Sequence, residues 1–105
     1  MTTPLTLTSS HRDDGTPTLH VTGEIDLDNV DAFTTALHDT LTHASPHTTI
    51  TVDLGAVTYL DSAAINTLFT HADHVQIIAN PLLMAALTIT GLTDLITITP
   101  TTAND

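Results

Sequence analysis

The run Val57-Thr58-Tyr59-Leu60-Asp61-Ser62-Ala63-Ala64-Ile65 sets a serine directly behind an aspartate, between a β-prone stretch and a stretch with helical spacing. A hydroxyl at a strand-to-helix turn lies among backbone N–H groups that have no helical partner, at the positive end of the helix dipole. Such a position is exposed and suits a phosphate. Serine is also a common helix N-cap, so the pattern alone leaves two readings open, a switch residue and a plain cap. Nucleophilic hydrolysis has less behind it. Ser62 lacks the flanking glycines of a nucleophile elbow, and no histidine can be assigned as its base. Asp61 beside it reads as an acidic residue favouring the helix dipole rather than as a general base.

Seven histidines raise the question of a metal. His71 and His74 are three apart and share a face if the helix extends that far, with Asp73 between them pointing elsewhere. His38, His43 and His47, spaced by five and four, make no compact helical set, whereas a metal asks for three or four converging ligands. The histidines are read as surface residues, and no metal or cofactor is expected. The four glycines are unclustered and offer no phosphate loop. A non-enzymatic protein is the expectation.

Charge narrows the partners. One basic residue, Arg12, stands against 12 acidic ones, for a formal net charge of -11. Counterion release at nucleic acid or attraction to an anionic membrane needs lysine and arginine that this chain lacks. A basic protein surface is the complementary partner. With no lysine, and with threonine at about a quarter of all positions, far above ordinary usage, solvated faces are built from Thr, His and Asp. No cysteine is present, so packing alone holds the fold. Met1 to Ser10 has no signal-peptide character, and no stretch approaches the roughly 18 apolar residues of a membrane span. The expectation is a cytoplasmic monomer or weak dimer without membrane insertion. It comprises a single domain over residues 1–100 and a polar tail over 101–105.

The elements that must position Ser62 are legible in outline. Leu5 to Thr8 and Thr18 to Thr22 alternate, and Asp13-Asp14-Gly15-Thr16-Pro17 between them supplies a solvated hairpin turn. Gly23-Glu24-Ile25-Asp26 leaves the second strand, and Asp28 with Asp31 forms an acidic variant of the capping box. Val30, Phe33, Leu37 and Leu41, with Ala36 and Ala44, share one face of a helix over 29–43, which Ser45-Pro46-His47 ends. Thr49 to Leu54 alternates as a strand with one covered face. A helix over 63–71 buries Ile65, Leu68, Phe69 and Ala72, and Val75 to Ala79 is the next strand. Asn80-Pro81 starts a third helix and Gly91 stops it, with Leu83, Leu87 and Thr90 on one face beside Met84 and Ala86. Leu95 to Thr99 closes the domain as a strand. The order β-β-α-β-α-β-α-β demands parallel pairing in its second half, in an α/β mixed sheet of four to five strands with helices mainly on one face.

Three motifs in this order, Val21-Thr22-Gly23-Glu24-Ile25-Asp26, Val52-Asp53-Leu54-Gly55-Ala56-Val57-Thr58-Tyr59-Leu60-Asp61-Ser62, and Asn80-Pro81 leading to Leu87-Thr88-Ile89-Thr90-Gly91-Leu92, resemble the STAS domain of bacterial anti-sigma factor antagonists. The resemblance spans nearly the whole chain. It implies a STAS-like fold and a partner-switching cycle. An anti-sigma factor that is also a serine kinase phosphorylates the serine after the aspartate, here Ser62, and so releases the antagonist. A serine phosphatase reverses the mark. By the same resemblance Asp26 lies near the serine loop, and Asp26, Tyr59, Asp61, Ser62, Ala63 and Ala64 form the partner surface. Ala63 and Ala64 stand where the family prefers a small hydroxylic residue and glycine, so this turn is expected to be either more regularly helical or differently set. The stretch from Ser62 to Val75 is also shorter than usual by roughly a helical turn. The same fold also serves as a subunit of membrane transporter complexes or as a scaffold in larger signalling assemblies. Neither of those roles requires phosphorylation.

Overall fold

The computed structural model describes residues 4–11, 13, 15–44 and 48–101. Alternating residues form β1 (Thr6–His11) and β2 (Pro17–Ile25), an antiparallel hairpin with Gly15 at φ 87 in its turn. Then follow α1 (Val30–His43), β3 (Ile50–Leu60), α2 (Ser62–Thr70), β4 (Val75–Ala79), α3 (Met84–Ile89) and β5 (Ile98–Pro100). The five strands lie in the order β1-β2-β3-β4-β5, and β2 to β5 are all parallel. Leu19, Val21 and Ile25 of β2, Ile50, Val52, Leu54 and Val57 of β3, and Ile77 of β4 meet Phe33, Leu37, Leu68 and Leu87 in one apolar core. Each such side chain contributes about 1.5 to 3 kcal/mol when fully buried. The opposite sheet face carries Ser10, His20, Asp53 and Gln76; Gln76 donates from Nε2 to the buried Thr51 hydroxyl at 2.9 Å.

Several expectations are corrected. The chain does not leave β2 at Gly23. Gly23 takes φ 100 at a bulge, a conformation that favours glycine, and pairing then resumes with Glu24 opposite Tyr59 and Ile25 opposite Leu60. The cap of α1 is not Asp28. Asn29 holds the N-cap position with no side-chain cap bond, and the Asp26 carboxylate instead closes the turn ahead of the helix, accepting the N–H groups of Asp28 at 2.9 Å and Asn29 at 3.2 Å. The third helix is divided. Asn80 accepts from the Leu82 N–H at 3.0 Å and opens a 3₁₀ turn over Pro81–Leu83, after which α3 has only six residues and Gly91 ends it at φ 85.

Of its expected face Leu83 and Leu87 are buried while Ala86 and Thr90 are exposed. The last strand begins three residues late, because Leu92–Asp94 form another 3₁₀ turn that sends Ile96 into the core and leaves Leu95 outside. Pro100, which cannot donate to a ladder, is tolerated on this edge strand. Thr101, the first residue of the expected tail, donates its N–H to the Ala79 carbonyl at 2.8 Å. Arg12, Asp14, the Ser45-Pro46-His47 stop and the remainder of the tail lie outside the described residues.

Candidate functional site

Because β2 and β3 are parallel, their carboxyl ends emerge together, and the Asp61 N–H donates to the Ile25 carbonyl at 2.8 Å. That one bond holds the Ile25-Asp26 exit beside the Asp61-Ser62 turn. Asp26 is fixed twice over. Its backbone N–H donates to Asn29 Oδ1 at 2.8 Å, while Asn29 Nδ2 donates to the Glu24 carbonyl at 2.9 Å. The Asp26 carboxylate is thus held within its own turn, at the strand end next to the Asp61-Ser62 turn. Carboxyl ends of parallel strands are where open α/β sheets bind their ligands.

Asp61 is the N-cap of α2, and its Oδ1 accepts the Ala63 N–H at 2.9 Å. Of the two open readings of Ser62, the plain cap is thus taken by its neighbour. Ser62 is the first helical residue; its hydroxyl is exposed and donates to Asp61 Oδ1 at a long 3.4 Å. Of the two settings open for this turn the regular one is observed, with Ala63 and Ala64 inside an unbroken helical turn. Ala63 is half-buried and Ala64 is fully buried in the core, so Ala64 is the one member of the expected partner surface that offers nothing to a partner. Tyr59 lies on the outer side of β3, 48% exposed.

One apolar residue at this edge, and a second beyond the end of β4, escape a pattern-based reading. Leu27 tops the Asp26 turn at 72% exposed, and Leu82, in the 3₁₀ turn after β4, is 74% exposed. The available signal was a lone leucine between two aspartates, and a leucine following the Asn80-Pro81 start. Leu27 and the exposed Tyr59 give the edge apolar surface among its carboxylates.

The histidines divide. His71 is the C-cap of α2 and His74 ends the following 3₁₀ turn, so the two do not share one helix. Burial, with the neighbouring His38 and His74, holds the His71 imidazole below its ordinary range. Among the described residues no group of three or more His, Asp or Glu is arranged to hold a metal ion. No described helix is long and apolar enough to cross a membrane.

The family model described as Mlab, STAS domain, matches residues 8–97. No curated protein sequence matches. Among solved structures, an anti-sigma factor antagonist from Mycobacterium paratuberculosis is similar at a TM-score of 0.83 and 24% identity, over 93% of this chain and 87% of that one. The anti-sigma factor antagonist SpoIIAA in its unphosphorylated form gives 0.68 and 14%, over 95% of this chain and 90% of that one. An uncharacterized protein of the DUF3478 family from Shewanella loihica, with a SpoIIAA-like fold, gives 0.62 and 12%, over 99% and 90%. At these identities the likeness is one of fold.

Proposed function

The chain belongs to the STAS domain family, and from that premise we propose that it is an anti-sigma factor antagonist, docking on a kinase-type anti-sigma factor through the edge around Ser62 and released when Ser62 is phosphorylated. The observation that carries this reading is the exposed Ser62 hydroxyl at the first position of α2, beside the Asp61 carboxylate and the Asp26 turn. A phosphate adds about 1.5 to 2 negative charges. The helix dipole favours that charge, but Asp61 already occupies the Ala63 N–H, so the phosphate meets like charge from Asp61 and Asp26. Closing an interface over three negative groups adds a desolvation cost to the repulsion. Docking is lost while the fold persists.

Leu27 and Tyr59 supply the apolar anchors of the proposed interface, and its charged rim suits a basic partner. A serine phosphatase restores the dephosphorylated form, and the cycle runs in the cytoplasm. Titration calorimetry against a cognate kinase-type anti-sigma factor, with peptide mapping after incubation with ATP, tests this. Phosphate is expected on Ser62, and Ser62→Asp is expected to weaken binding at least about tenfold, equivalent to about 1.4 kcal/mol. Equal affinity of Ser62→Asp and wild type, with no phosphate on Ser62, refutes it. That result would favour a transporter subunit or scaffold that docks by the same edge without phosphorylation. The regular helical turn at Ala63 and Ala64 is the feature that speaks for this second reading.

A further inference from the structure

Away from Ser62, on the sheet face opposite the core, three polar side chains line up across three strands. The register sets Thr8 of β1 and Asp53 of β3 on either side of His20, with Ser10 two residues further along β1. Ser10 Oγ lies 2.7 Å from His20 Nε2, and His20 Nδ1 lies 3.3 Å from Asp53 Oδ2. An ionised carboxylate only accepts, so the imidazole proton belongs on Nδ1, donated to Asp53. Nε2 is then an acceptor, and the Ser10 hydroxyl donates to it.

Asp53 is itself held, because its Oδ1 accepts the Gly55 N–H at 2.9 Å. A Cβ at Gly55 would stand 3.1 Å from that oxygen and 2.7 Å from Thr101 Oγ1, so a glycine is what lets the backbone approach. Beside His20 and Asp53 opens a shallow recess of about 380 Å³, lined also by Thr22, Gly55, Ala56 and Thr101. Nucleophile, base and orienting carboxylate are connected in the order that acyl transfer uses.

We propose that Ser10 is a covalent modification site for small activated acyl donors, esters, thioesters or acyl phosphates, with His20 taking its proton and Asp53 orienting His20. The Ser10 oxygen attacks the carbonyl carbon while its proton passes to His20 Nε2. The tetrahedral adduct collapses by breaking the bond from that carbon to the leaving group, which departs with the electron pair and recovers the proton from His20. O-acyl Ser10 and a neutral imidazole remain. A positioned general base accelerates such a step by about 10² to 10⁴. With side-chain exposures of 44% for His20 and 31% for Asp53, water competes for both groups, and the low end of that range applies. The site therefore labels slowly and does not turn over rapidly. The idea goes beyond the switch at Ser62 and stands independently of it.

Incubation with p-nitrophenyl acetate followed by peptide mapping tests it. The chain has no lysine to compete for the acetyl group. Ser10 is expected to acetylate about 10²-fold faster than the exposed Ser9 and Ser62. His20→Gln is expected to remove most of that advantage and Asp53→Asn part of it. Equal labelling of the three serines, acetyl on His20 with none on Ser10, or Ser10 labelling unchanged in His20→Gln each overturns the proposal. The comparison among serines needs only the wild-type chain, so a variant that fails to fold does not protect the idea.

Discussion

Asp61 and Ser62 are adjacent, yet only one of them holds the fold, and this is measurable. Asp61→Ala removes the carboxylate that accepts the Ala63 N–H at 2.9 Å. Loss of an N-cap of this kind costs about 1 kcal/mol, within a range of about 0.5 to 2. For a domain of this size about 1 kcal/mol lowers Tm by roughly 4 °C. Asp61→Asn keeps an acceptor and loses only the charge at the positive end of α2, so about 0.5 kcal/mol is expected. Ser62→Ala removes an exposed hydroxyl whose bond to Asp61 is 3.4 Å long. Alanine is also the better helix former, so the change stays within about 0.5 kcal/mol of zero. Urea unfolding followed by circular dichroism, with unchanged m-values, gives all three numbers. A Ser62→Ala loss equal to or larger than that of Asp61→Ala refutes the reasoning, since Ser62 would then be the cap. The expected order also means that the proposed phosphorylation of Ser62 would leave the α2 cap in place.

Three further outcomes follow from the structure. Gly55→Ala places a methyl 2.7 Å from Thr101 Oγ1; it should destabilise by about 1 kcal/mol, and the double variant with Thr101→Ala should recover part of that loss in a thermodynamic cycle. His71 has its folded-state pKa lowered from 6.5, so below that pH the unfolded chain binds the extra proton and stability falls as pH falls. His71→Gln should flatten this acid-side loss relative to wild type in melts across that window, and superimposable profiles would contradict the assignment. The net charge of -11 implies self-repulsion, so Tm should rise between about 0.01 M and about 1 M salt as the screening length falls from about 30 Å to about 3 Å; a flat profile would contradict it.

The sequence by itself determined the alternation of strands and helices, the fold class, the turn at Gly15, the Asn80-Pro81 start and the placement of Ser62 at the head of α2. Each of these rests on contacts within a few residues, through apolar periodicity, caps and turn-forming residues, and such signals survive in one dimension. Tertiary structure decided the rest. Gly23 read as a strand exit, yet pairing with β3 carries β2 on to Ile25, because a bulge costs less than unpaired strand groups. Asn29 rather than Asp28 takes the N-cap position of α1, since the Asp61-to-Ile25 bond and the Asp26 turn fix where the chain enters the helix. Leu95 read as strand and lies outside, because the core takes Ile96 instead. Ser10, His20 and Asp53 sit on three strands, 10 and 33 residues apart in sequence, and only the β1-β2-β3 register brings them together. Register across a parallel pair is set by a helical crossover and by core packing, and neither leaves a mark within any short window of sequence.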